Sequence, residues 1–176
     1  MTLPQLHLLL PAVLAQSTHA HSFIHGEPHW RAVAWTALDL APLVPGSDPE
    51  LGLLFGLCHD AKRLTDSHDP LHGPRAAEMV RQLAAANLLP LEPHRLELLA
   101  RAIHNHTGGP PSTDPTIGLC QDADRLNLWR IGVRPVASHL STEAARQPQR
   151  IEAHRNLPGQ AIPWSELFEM LQKARG

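Results

Sequence analysis

Leu51-Gly52-Leu53-Leu54-Phe55-Gly56-Leu57-Cys58-His59-Asp60-Ala61 stays apolar on every side for two helical turns, then sets an imidazole beside a carboxylate. A helix that is apolar all round is buried, so this run, opened by Pro49 and Glu50, is predicted to be the central helix. Gly52 and Gly56, four residues apart, let another helix approach closely on one side. A charged carboxylate at position 60 costs several kcal/mol to bury, and a bound cation is the strongest compensation available. An ion pair with Arg63, one turn on, is the plainer alternative.

Working outward, helices account for nearly everything and no clear strand appears. Upstream, Pro28 opens a helix that runs to about Ala41, with Trp30, Val33, Ala34, Ala37, Leu38 and Ala41 recurring every three to four residues. His29 lies one turn before Val33 and borders that buried face. Downstream, a polar stretch from Thr65 to Pro70 leads to a helix from about Pro74 to Ala86. Pro93 begins another, with Leu96, Leu99, Ala100 and Ile103 inward, that ends by Thr107-Gly108-Gly109. Asp114-Pro115 caps and starts the helix carrying Asp124 beside Ile117, Cys120 and Leu128. After Gly132 the pattern weakens. Residues 134–159 hold scattered prolines with one short helix from Thr142 to Arg146, and Trp164 to Ala174 reads as a terminal amphipathic helix. The expected fold is all-α, a single compact domain over residues 1–176, with a metal-site core at 25–132 and a tail at 133–176.

Composition sets the outer limits. The chain has 176 residues, of which 43% are hydrophobic, enough for one packed core rather than a disordered chain. A net charge of −2 gives no footprint for duplex nucleic acid. Cys58 and Cys120 lack the paired spacing of a zinc knuckle and read as small buried hydrophobes in a reducing compartment. The apolar stretch Leu8 to Gln16 has no Lys or Arg before it and is interrupted by Pro11, so it reads as a core-covering helix rather than a leader. No stretch is long enough to span a membrane, and the expected location is the cytoplasm.

Thirteen histidines are far more than an ordinary chain of this length carries. In order come His29, then His59-Asp60, then Asp124 in Gln121-Asp122-Ala123-Asp124-Arg125-Leu126. Two imidazoles and two carboxylates suit a first-row divalent metal and leave positions on a six-coordinate ion for water and a phosphate oxygen.

This ordered set resembles the HD superfamily of metal-dependent phosphohydrolases. His25-Gly26-Glu27-Pro28-His29-Trp30-Arg31-Ala32-Val33 looks like its first histidine helix. His59-Asp60-Ala61-Lys62-Arg63 looks like its central pair with a basic residue following, and Ala123-Asp124-Arg125-Leu126 like its final aspartate. The resemblance spans roughly His25 to Gly132. It implies an all-helical fold with a metal site between helices, and ligand roles for His29, His59, Asp60 and Asp124. The segment from Asp66 to Ala77 resembles a small branch of the superfamily that implies no particular substrate.

Other side chains are candidates for supporting roles. Arg63 is placed to clamp a phosphate beside the ion, against a salt bridge to Asp66 or Glu78. Lys62 points elsewhere, toward solvent. His106 continues the buried row Leu96, Leu99, Ile103, whereas His104 falls on the polar row with Glu97 and Arg101. His106 is therefore a candidate for proton transfer or phosphate contact, against a satisfied core histidine, and His72, flanking the loop after the His59-Asp60 pair, is another, against a second-metal ligand or a plain polar turn. His25, His68 and Asp122 are candidates for the surrounding shell, Asp122 more as a cap or bridge because it lies on the opposite side of its helix from Asp124.

The expected function is divalent-metal-dependent hydrolysis of a nucleotide or similar small phosphate ester, with a metal-activated water as nucleophile. One ion (Mn, Mg, Co, Ni, Zn or Fe) is expected, and a second is not assigned. A two-metal oxygenase, needing His72 or His106 as extra ligands, stays open. So do a non-catalytic metal- or nucleotide-binding sensor and a metal-dependent nuclease. Ser112-Thr113 lies in a proline-rich turn with no base nearby, and neither cysteine has an electropositive flank, so serine and cysteine nucleophiles have little support.

Overall fold

Three of the long helices start where a capping side chain and a proline coincide. In the computed structural model, which describes residues 1–174, α1 spans Leu3–Gln16 behind a capping box of Thr2 and Gln5. It buries Leu6, Leu9 and Val13 and so covers the core as its sequence predicts. The second helix, α2 (Glu27–Leu40), carries Pro28 in its first turn, and α3 (Pro49–Cys58) is capped by Asp48, which accepts from the Glu50 and Leu51 amides. Then come α4 (His72–Ala85), α5 (Pro93–His104) and α6 (Pro115–Leu126), the last capped by Asp114. There is no strand among the described residues, and the architecture is all-helical.

Every residue of α3 after Pro49 is buried, so it is the central helix. The two glycines let α2 lie directly on it. A Cβ on Gly56 would sit 2.5 Å from the Ala34 backbone nitrogen, and one on Gly52 would be 2.9 Å from Ala37 Cβ. On the other flank, Gly73 plays the same part for α4 and α5: its Cβ would meet the Ile103 and His104 carbonyls at 2.8 and 2.9 Å. That approach brings the start of α4 to the end of α5, and with them His72 to His106.

The helix read as reaching Ala61 ends at Cys58 instead. The Ala61 amide bonds to the Cys58 carbonyl at 3.1 Å, a tighter turn than α-helix, and the Ala61 carbonyl accepts from the Thr18 amide at 3.0 Å. His59 and Asp60 therefore stand in the turn at the end of the central helix.

The tail is ordered, with the two helices its sequence predicts and a third between them. Asn127–Ile131 is a 3-10 turn, followed by α7 (Glu143–Arg146), α8 (Pro148–Ala153) and α9 (Trp164–Lys173). The apolar face of α9, Trp164, Leu167, Phe168 and Leu171, is buried against α1, α2 and α3. No helix among the described residues is long and apolar enough to cross a membrane.

Candidate metal centre

Three segments meet at the end of α3. His29 comes from the first turn of α2, His59 and Asp60 from the turn after α3, and Asp124 from the last turn of α6. His29 Nε2 lies 3.2 Å from Asp124 Oδ1, 3.2 Å from His59 Nε2 and 3.7 Å from Asp60 Oδ2. His59 Nε2 lies 3.6 Å from the same Asp60 oxygen.

The other oxygen of Asp60 faces a second group. Its Oδ1 is 3.3 Å from His72 Nε2, 3.7 Å from His106 Nε2 and 3.5 Å from Arg63 Nη1. The two histidines touch each other, Nε2 to Nε2, at 2.9 Å. Asp60 thus joins two lobes, one oxygen to each.

Backbone carbonyls decide what the imidazoles can do. His59 Nδ1 donates to the carbonyls of Phe55 and Gly56 (3.2 Å each), His106 Nδ1 to that of Ile103 (2.7 Å), and His72 Nδ1 to that of Asp69. A carbonyl only accepts, so the hydrogen sits on Nδ1 and each neutral ring turns its Nε2 lone pair inward. Phe55 stacks on His59 at 4.9 Å and holds the ring in plane. His29 Nδ1, by contrast, is buried with no hydrogen-bond partner.

Lone pairs facing lone pairs repel unless a proton or a cation lies between them. Burial pushes His29 down to about 3, reinforced by the Arg130 guanidinium, and burial also lowers His59. His72 falls to about 4 through burial and the neighbouring His106. For His106 burial works against the charged form, but Asp60 outweighs it and raises the ring. Burial would likewise raise Asp60 and Asp124. Their histidine neighbours, with Arg130 beside Asp124, hold both carboxyls well below the usual range. The Oδ1 atoms of Asp60 and Asp124 are buried and accept no hydrogen bond. Ionised oxygens without donors and neutral imidazoles with inward lone pairs are a ligand set for a divalent cation. His29, His59 and Asp124 each offer an atom within 4.8 Å of the others, as do His59, Asp60 and His106, and either set can hold a metal ion.

The sequence matches the HD domain family over residues 28–129, more than half of the chain. The chain belongs to the HD domain family. Proteins of this family are in general metal-dependent phosphohydrolases that bind divalent metals. Comparison with curated proteins and with solved structures gives no match.

Not every residue singled out from the sequence reaches the HD cluster. Asp122 is fully buried but points away from it, as its position two residues before Asp124 requires. It accepts from the Ser141 amide (2.6 Å) and from the Thr142 amide and hydroxyl (2.7 Å each), anchoring the tail. His68 is exposed, because its loop is pinned by Asp69 to the Leu64 amide and Arg75. Lys62 is not free in solvent, since its ammonium caps α1 at the Gln16 carbonyl. His25 is buried beside His29, and its Nδ1 meets Asp66 Oδ1 at 2.9 Å. Arg63 bonds neither Asp66 nor Glu78. Besides Asp60 and His72, it donates to the carbonyls of Thr65 and Ser67.

Two further side chains come to the cluster. Thr107 Oγ1 lies 3.2 Å from His72 Nε2, and Arg130 Nη1 lies 3.7 Å from Asp124 Oδ1. Six residues on an α-helix do not return to the same face. Arg130 returns over Asp124 because the chain tightens to 3-10 over Asn127–Ile131.

Proposed function

We propose that this HD domain hydrolyses a nucleotide or similar small phosphate ester with the help of a divalent metal. The observation that carries the proposal is the buried Asp60 carboxylate, with one oxygen toward His29 and His59 and the other toward His72 and His106. His29, His59, Asp60 and Asp124 would hold the ion. When bound there, a divalent ion supplies Lewis acidity, activating water and polarising a phosphoryl oxygen. Arg63, fixed by the Thr65 and Ser67 carbonyls, would neutralise charge developing on the phosphoryl group. His106, drawn toward its protonated form by Asp60 and in contact with His72, would pass a proton to the leaving oxygen. The hydrogen bonds that Asp122 accepts from Ser141 and Thr142 support reading the tail and the metal-site core as one unit.

A second reading has an observation of its own. His72 and His106 meet on Asp60 Oδ1, which supports a second ion in that lobe and keeps a two-metal oxygenase in play. Elemental analysis of the purified protein separates the two. One equivalent of metal per chain supports simple hydrolysis, with His72 and His106 free for proton transfer, and two equivalents of iron support the oxygenase. A panel of nucleotides assayed with Mn, Mg, Co and Ni tests the reaction. Release of inorganic phosphate or a nucleoside monophosphate is expected, and no turnover with any metal would count against hydrolysis.

A further inference from the structure

We infer that Arg130 is a second contact for the substrate's phosphoryl group, at the opposite lobe from Arg63, and that it selects a terminal, dianionic phosphate. This rests on the phosphohydrolase reading above. The Arg130 side chain is only 8% exposed. Its Nε donates to the Ile24 carbonyl and its Nη1 to the Asn127 carbonyl, both at 3.0 Å. These bonds fix the plane of the guanidinium and leave Nη2 without a hydrogen bond among the described residues. Its ion-pair partner among those residues is Asp124, and at 3.7 Å that contact is too long for a two-pronged, neutralising pair.

Arg130 keeps its charge beside His29 and Asp124, where a metal ion is expected. A guanidinium pinned there repels that ion, a cost that an anion lying between the two cations removes. Arg63 stands in the same relation to the other lobe, with Nη1 3.5 Å from Asp60 Oδ1 and its remaining nitrogens on backbone carbonyls.

Charge then points to the class of group. The two guanidiniums offset the carboxylates of Asp60 and Asp124, and an imidazole that ligates an ion through its lone pair is neutral, so the double charge of a bound divalent ion is left over. A terminal phosphate, whose second ionisation lies at about pH 6, matches that charge at neutral pH. An internal diester carries a single negative charge and does not.

Inorganic phosphate and dimethyl phosphate serve as the dianionic and monoanionic probes. Each is titrated calorimetrically at pH 8 into manganese-loaded, desalted wild type, Arg130→Gln and Arg130→Lys. The wild type should bind phosphate more tightly than dimethyl phosphate. Arg130→Gln should lose about tenfold or more in phosphate affinity, the scale of one charged hydrogen bond. Arg130→Lys should fall between the two, and metal content and melting temperature should stay as in wild type. Phosphate binding undiminished in Arg130→Gln overturns the role of Arg130. So does loss of metal or of thermal stability in both variants, which would make the side chain a strut for the Ile24 loop. Dimethyl phosphate bound as tightly as phosphate overturns the terminal-phosphate class alone. A wild type that takes up manganese but binds neither probe, or takes up no manganese, refutes the phosphohydrolase reading, and the role of Arg130 with it.

Discussion

Asp122 and Asp124 stand two residues apart on α6, both drawn into the protein, and the fold treats them in opposite ways. Asp122 receives two amides and a hydroxyl from Ser141 and Thr142, all within 2.7 Å. Asp124, like Asp60 beside it, has a buried Oδ1 that accepts no hydrogen bond, and its nearest neighbours are imidazoles, themselves driven toward neutrality by burial, and the distant fork of Arg130. The same chain that saturates one buried carboxylate leaves two others short of donors. Desolvation makes such an arrangement costly, so it calls for a cation in a way that the Asp122 anchor does not.

The sharpest way to break this contrast is to remove one carboxylate from each side. Asp60→Ala should abolish metal retention and turnover. With metal at about a thousand times its Kd, the loaded wild type should exceed the metal-free protein by about 4 kcal/mol, and this gap should vanish in the variant. Asp122→Ala should keep both the metal and the gap while lowering both melts, because each buried donor left unpaired at Ser141 and Thr142 costs about 1–3 kcal/mol. Equal metal content in wild type and Asp60→Ala would remove the distinction altogether.

Acid titration should separate the same two regions in the metal-free protein. His29 has a folded value of about 3 against 6.5 for the free side chain, so the fold favours its neutral ring. Its contribution is fully present above 6.5 and drains away as pH falls from there toward 3. His72, at about 4, and the lowered His59 run the same way. The depressed carboxyls of Asp60 and Asp124 add a further loss below 3.8. His106 is raised and opposes the trend, its contribution being present below 6.5 and lost as pH rises through its folded value. Asp122 is also raised, by burial, so acid favours rather than breaks its region. The melting temperature of the metal-free protein should therefore fall between pH 7 and pH 4. A flat profile would mean that the imidazoles are not held neutral.

Much of this was legible in the sequence because it follows from local periodicity. The all-round apolar run announced α3, Gly52 and Gly56 announced the close approach of α2, and the row Leu99, Ile103, His106 announced which histidine faces inward. What escaped depends on bonds between distant residues. Nothing local shows that the Thr18 amide takes the Ala61 carbonyl and ends α3 before His59. The tail, too, looks irregular until Asp122, Arg125 and Trp129 supply partners for Ser141, His139 and Ile151. Arg130 was hidden by the switch from α to 3-10 winding after Leu126.

The C-terminal end of α5 gives a smaller and cleaner contrast. His106 is buried against Asp60 and His72, whereas His104 is exposed two residues away. His106→Ala should slow turnover by about 10²–10⁴-fold, the range for a positioned acid or base, while His104→Ala leaves it nearly unchanged. If His106→Ala also halves the metal content, the second lobe holds an ion rather than a proton relay. The reverse order of effects would sink both roles.

Arg63 provides the finest test, because its contacts are compatible with a strut as well as a clamp. Its guanidinium is fixed by the Thr65 and Ser67 carbonyls, lies 3.5 Å from Asp60 Oδ1, and has an Nη1 facing His72. If it clamps phosphate, Arg63→Ala should keep the metal and the melting temperature, raise KM and slow turnover by about 10²-fold, as loss of one charge-stabilising donor does elsewhere. Arg63→Lys should recover only part of that, since an ammonium restores the charge without the planar two-pronged contact. If the side chain merely braces the 63–67 turn, the alanine variant should melt lower while each folded molecule turns over as before. Thermal melts beside steady-state kinetics on the three proteins separate the cases. The geometry favours the clamp, because an arginine serving only the turn would have no reason to hold its charge against Asp60 and His72.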